Sequence, residues 1–146
     1  RRGGWPMVLS VFAIVWLADV CAYFCGRAFG KRKMAPAISP GKTWAGAAGA
    51  VACTVAAMFA AWLWLPRDMV FTSVIVEQSG FVPAVVDTVV LVALSIAGDL
   101  FESALKRQAG VKDSGSCLPG HGGFYDRLDA ALAVFPAACA LMIVYQ

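Results

Sequence analysis

The chain has 146 residues, of which 60% are hydrophobic and only 14% charged, with a net charge of +3 and a mean hydropathy of +0.73. A soluble domain of this size carries about 25% charged residues, so the composition excludes an ordinary soluble domain and places the chain among membrane proteins. The small positive charge is concentrated on loops, and with neither a DNA-binding helix signature nor an alternating basic and aromatic pattern it excludes a nucleic-acid partner.

Four apolar stretches follow in chain order: Trp5–Gly26, Thr43–Leu65, Phe81–Leu105 and Leu128–Tyr145. Each is near the roughly 20 residues that a helix needs to cross the hydrocarbon core. Only helices satisfy their own backbone in lipid without a closed sheet, and no barrel-like alternation is visible. The expected fold is therefore all-α, a polytopic transmembrane helix bundle of about four spans. Between the second and third, Met69–Val76 is apolar and β-branched but too short to span. It reads as an interfacial segment, with a re-entrant piece as the alternative. The chain starts at Arg1 without a Met, and no signal-peptide cleavage site follows the first span. Residues 1–146 read as a single membrane catalytic domain, the C-terminal part of a longer protein.

The connections alternate in charge. Residues 27–42 carry Arg27, Lys31, Arg32, Lys33 and Lys42 with no acid, and residues 106–127 carry Lys106, Arg107, Lys112 and Arg127. The positive-inside rule puts both basic loops in the cytoplasm, although Arg1 and Arg2 then fall on the opposite side. The second span is rich in Ala and Gly, which suits close helix packing within one bundle, and a homodimer is left open. Trp5, Trp62, Trp64 and Tyr145 stand at span ends as interfacial anchors. Of the five cysteines, four lie in apolar segments with no His cluster nearby, so they read as small buried residues rather than a zinc site.

The candidate chemistry lies around the third and fourth spans. Asp99, Ser103, Lys106 and Arg107 follow at one-turn intervals and fall on one helical face. A carboxylate, a hydroxyl and cations in one stripe suit a metal and the phosphates around it; for Lys106 and Arg107, a helix simply emerging into water is the plain alternative. Asp99 lies deeper, where a charge costs about 2.5 to 3.5 kcal/mol on insertion scales, which favours a functional role. Asp126 and Asp129 are three apart at the mouth of the fourth span. Paired acids there suit a hard cation such as Mg²⁺, with helix capping as the alternative for one of them. His121, between glycines in Pro119–Gly123, reads as a phosphate contact or loop organiser rather than a general base. Lys112 suits phosphate and Asp113 loop bracing. In the first basic loop, Ser39 or Thr43 is expected to cap the second span. Lys42 beside that helix start is better placed with a bound anion there, or in contact with anionic headgroups. Asp19 is a third intramembrane acid, expected to meet a basic residue of the next loop or a metal. Asp87 reads as structural.

These residues resemble a known signature. Ser103–Arg107, Lys112-Asp113, Pro119–Gly123 and Asp126–Asp129, at these spacings, are similar to the motif of phosphatidate cytidylyltransferases, the CDP-diacylglycerol synthases. Asp19–Gly30 and Ile38–Gly46 resemble that family's first basic loop, and Gly98–Ser103 its helix end. The resemblance implies a multi-pass enzyme of the inner membrane with its active site facing the cytoplasm. It would transfer CMP from CTP to phosphatidic acid, releasing pyrophosphate, with Mg²⁺ and room for a second cation. By the same resemblance Asp99 and Asp126 are metal-site residues, and Ser103 and Lys106 are their polar neighbours. With the readings above, Asp129 joins the candidate metal set, Ser103, Lys106, Arg107, Lys112, Asp113, His121 and Arg127 form the candidate catalytic set, and Ser39, Lys42, Gly122 and Gly123 are candidate substrate contacts. A CTP-dependent lipid kinase and an ion or anion transporter are the alternatives.

Overall fold

A computed structural model describes residues 4–111 and 129–145, Asp129 by its backbone alone. Five helices and one hairpin make up the described residues: α1 (Trp5–Phe29), β1 (Lys33–Ala35), β2 (Ser39–Thr43), α2 (Trp44–Trp64), α3 (Phe71–Ser79), α4 (Phe81–Gln108) and α5 (Asp129–Val144). The all-α bundle is as expected. Helices α1, α2 and α4 are each long and apolar enough to cross a membrane. Helix α5 is shorter, with 16 residues and Pro136 inside it.

Helix starts follow local chemistry. Pro6 lies in the first turn of α1, where its missing N–H costs nothing. Thr43 rather than Ser39 caps α2, its Oγ1 accepting from the Gly46 N–H at 3.1 Å. Between α1 and α2 the basic loop folds back as an antiparallel hairpin, pairing Lys33 with Thr43 and Ala35 with Ser39. The Trp44 N–H to the Arg32 carbonyl, at 3.1 Å, joins the hairpin to the start of α2.

Met69–Val76, expected at the interface, is instead largely inside the protein. Residues Phe71 to Val76 of α3 are all buried. An interfacial helix needs one face in water, whereas a helix covered all round belongs to a core. Its start is fixed to α1, where Ser10 Oγ accepts from the Phe71 N–H at 2.9 Å. Around it gather Val11 and Val15 of α1, Met58 of α2, Leu91 of α4 and Val134 of α5. At the end of α2, Trp62 packs edge-on against Phe81, beneath the Arg67 guanidinium at 4.7 Å. Trp5 and Trp64 stay exposed.

Toward the hairpin the core narrows to Ala18, Ala50 and Val92. The small residues of α2 are used here, against α1. A Cβ on Gly46 would sit 2.6 Å from the Ala22 carbonyl oxygen, and one on Gly49 would collide with the Cys25 side chain. Backbone against backbone leaves no side chain to yield. Gly46→Ala is therefore expected to lower the thermal midpoint of the full-length protein in detergent, an overpacking cost of about 1–3 kcal/mol. An unchanged midpoint would mean that the helices are not closely apposed.

Candidate active site

The close approach of α1 and α2 opens a cavity beside the hairpin. Its volume is about 420 Å³, and its lining includes Asp19 and Tyr23 of α1, Ser39, Lys42 and Thr43 of β2, and Asp99 of α4. Three elements far apart in sequence thus deliver two acids and one base to one space.

Lys42 links them. Its ammonium forms an ion pair with Asp99 Oδ2 and donates to the Ile96 carbonyl at 3.3 Å. Asp19 lines the same cavity as Asp99 and Lys42. Two carboxylates facing one cavity repel each other, and a cation between them relieves this. The Lys42 side chain retains 22% of its exposure and Asp99 33%, so the pair faces an opening and is not sealed. Asp99 Oδ1 has its own neighbour, Ser103 Oγ, at 3.5 Å, a long hydrogen bond.

Of the expected stripe on α4, Asp99, Ser103 and Lys106 are partly buried and Arg107 is exposed. Asp99 lines the cavity, and Ser103 is joined to it. Lys106 lies 3.2 Å from Glu102 Oε1 on the same helix, while Arg107 is exposed on the last turn. Ser39 lines the cavity, although it does not cap α2. Lys42 also pairs with Asp99: the hairpin carries it across to α4, a contact that helix-end electrostatics do not foretell. Lys112, Asp113, His121, Gly122, Gly123, Asp126 and Arg127 lie outside the described residues, as does the side chain of Asp129.

Asp19 was legible in the sequence as an intramembrane acid, but its place opposite Asp99 was not, because that depends on the close α1–α2 packing. The Ile96 carbonyl carries no sequence signal at all. The donor set suits a hard cation. Asp19, Asp99, Ser39 and Thr43 offer oxygen atoms to one cavity, and Mg²⁺ binds through one or two carboxylates plus substrate phosphates. Among the described residues no three acids, histidines or cysteines converge as an all-protein cage.

The sequence model of the cytidylyltransferase family matches residues 1–145. The chain belongs to this family. Its cavity is thus that of a cytidylyltransferase-family membrane protein, built between α1, the hairpin and α4. Among similar proteins, phosphatidate cytidylyltransferase of Haemophilus influenzae is 43% identical over 130 residues, covering 89% of this chain and 43% of the relative. That of Pseudomonas aeruginosa is 42% identical, covering 94% of this chain and 49% of the relative. That of Staphylococcus epidermidis is 38% identical, covering 98% and 51%. The chain spans about half the length of these curated relatives.

Proposed function

We propose that the chain is the catalytic part of a CTP:phosphatidate cytidylyltransferase, which transfers CMP from CTP to phosphatidic acid and releases pyrophosphate. The observation that carries this reading is the joining of Asp19, Lys42 and Asp99 in one polar cavity of a family member whose named relatives are phosphatidate cytidylyltransferases. The protein is multi-pass, and its active site faces the cytoplasm of the inner membrane, where positive-inside reasoning puts both basic loops.

The reaction needs little covalent help. A phosphate oxygen of phosphatidic acid attacks the α-phosphorus of CTP, the bond from that phosphorus to the β-phosphate bridge breaks, and pyrophosphate leaves. The attacking oxygen is already an anion, so no strong base is required. Catalysis rests on in-line placement and on offsetting developing charge. Asp19 and Asp99, with Asp126 and Asp129, would hold Mg²⁺, with space for a second cation. When bound, the metal supplies charge neutralisation at the phosphates and orients them. Lys42 places a positive charge beside the same phosphates. Ser103 steadies the Asp99 carboxylate through Oδ1. Lys106, Arg107, Lys112 and Arg127 serve the triphosphate and the lipid headgroup. Asp113 braces the glycine-rich loop, while Ser39, His121, Gly122 and Gly123 contact substrate. The lipid tails of phosphatidic acid remain in the bilayer alongside the apolar exterior of the bundle.

The full-length protein in detergent, given CTP and phosphatidic acid, is expected to form CDP-diacylglycerol and pyrophosphate in equal amounts. Chelation by EDTA should stop product formation, and added Mg²⁺ should restore it. Release of CDP with a phosphorylated lipid would point to a kinase, and nucleotide-independent ion flux in proteoliposomes to a transporter. Either outcome overturns the proposal.

A further inference from the structure

The end of α4 carries a second acid–base pair beyond the cavity. Glu102 and Lys106 are one helical turn apart, with Lys106 Nζ 3.2 Å from Glu102 Oε1. Their side chains are only 16% and 18% exposed. Both carboxylate oxygens of Glu102 are buried. The Arg67–Glu77 pair makes the contrast: it is looser, at 3.7 Å, with side chains 53% and 44% exposed. That is an ordinary surface contact of little energetic weight. Glu102 has instead given up water for an ammonium that is the one counter-charge found beside it among the described residues, an arrangement that surface solubility does not require.

The helix position gives the arrangement a purpose. Glu102 lies beside Asp99 on the same side of α4 as Ser103, and all three are partly buried. A Glu four residues before a Lys is the favourable direction for such a pair. Lysine has a flexible four-carbon stem, and fixing it before substrate arrives removes an ordering cost from binding.

We infer that Glu102 is a positioning residue, which fixes the Lys106 ammonium on the side of α4 that carries Asp99 and Ser103, so that it meets an anionic substrate in one placement. The inference rests on the cytidylyltransferase reading above and adds a residue to it. Glu102 acts through Lys106 and does not touch the reacting atoms.

The test uses the full-length enzyme in detergent, with Glu102→Gln, Lys106→Met and the double variant. Gln keeps the shape and removes the charge. Glu102→Gln is expected to raise the KM of CTP or of phosphatidic acid at least tenfold, while kcat stays within about threefold. In the Lys106→Met background the same change should have no further effect, because the residue through which it acts is gone. A wild-type KM in Glu102→Gln overturns the inference. So does an equal loss with and without Lys106, which would mark a purely structural role. Should Glu102→Gln not be recovered folded, Glu102→Asp keeps the charge one carbon short. It is expected to show a smaller KM rise in the same substrate, and wild-type values there overturn the inference equally. Absence of CDP-diacylglycerol formation by the wild-type protein refutes the functional reading itself, and the inference with it.

Discussion

Asp99→Asn is expected to reduce CTP-dependent formation of CDP-diacylglycerol by at least about a hundredfold to a thousandfold, the loss typical of removing one preorganised electrostatic contact at a phosphoryl or acyl centre. Asn has the size of Asp and keeps a polar head, so α4 and its packing are preserved. What disappears is the charge. Asp99 is the acid at the junction of the cavity, paired with Lys42 on one oxygen and near Ser103 on the other. Without it the cavity keeps Asp19 as its remaining described acid, too little to hold a divalent cation with the phosphates. The stability cost should be small by comparison. The Lys42–Asp99 pair is partly exposed, and such pairs contribute about 1 kcal/mol or less. Activity and folding are therefore expected to separate: product formation collapses while the thermal midpoint in detergent stays close to wild type. Full activity in Asp99→Asn would remove this cavity from consideration as the active site.

Lys42→Met gives the second large effect, and its signature is less obvious. On the proposed reading the ammonium stands beside the phosphates, so the maximal rate is expected to fall about a hundredfold. The same ammonium pairs with Asp99, where by that reading it would compete with a divalent cation. Removing it should lower the Mg²⁺ concentration needed for half-maximal rate even as that rate falls. Steady-state assays across a Mg²⁺ titration measure both quantities. Lys42→Arg should restore only part of the rate, because a planar guanidinium does not replace a compact ammonium. The double variant Lys42→Met with Asp99→Asn should lose less than the product of the two single losses, since the residues are in contact. An unchanged or higher Mg²⁺ requirement in Lys42→Met would show that the metal does not share Asp99 with the lysine.

Much of the helical framework could be read locally. A run of apolar residues near the span length can only be helical in lipid, so α1, α2 and α4 begin close to where the sequence puts them. The cap on α2 was legible as a choice between two hydroxyls, and geometry selected Thr43. The burial of α3 is not legible locally, because a short β-branched run carries the same pattern whether it lies on a surface or inside a bundle. Its burial comes from four neighbouring helices, none of which its own residues specify. The hairpin was missed for a related reason: strands of three and five residues give too little alternation to detect. They persist because the converging ends of α1 and α2 hold the chain between them.

The same division applies to the site. Charges inside apolar spans are costly, so Asp19 and Asp99 stand out in the sequence without any structure, and the spacing of Asp99 and Ser103 puts them one turn apart on any helix. What the sequence by itself determined is the membrane class, the helical spans and the acids that need a partner. The tertiary structure decided which partner each acid has. Lys42 reaches a carbonyl 54 residues away on α4 because Val92 of α4 packs with Ala50 of α2 and Ala18 of α1, while Gly46 and Gly49 let α1 and α2 approach without side chains between them. Helical periodicity is a local property and survives in any one-dimensional reading. The meeting of Asp19, Lys42 and Asp99 depends on how closely two helices pack, and that is set by contacts between segments that no single stretch of sequence contains.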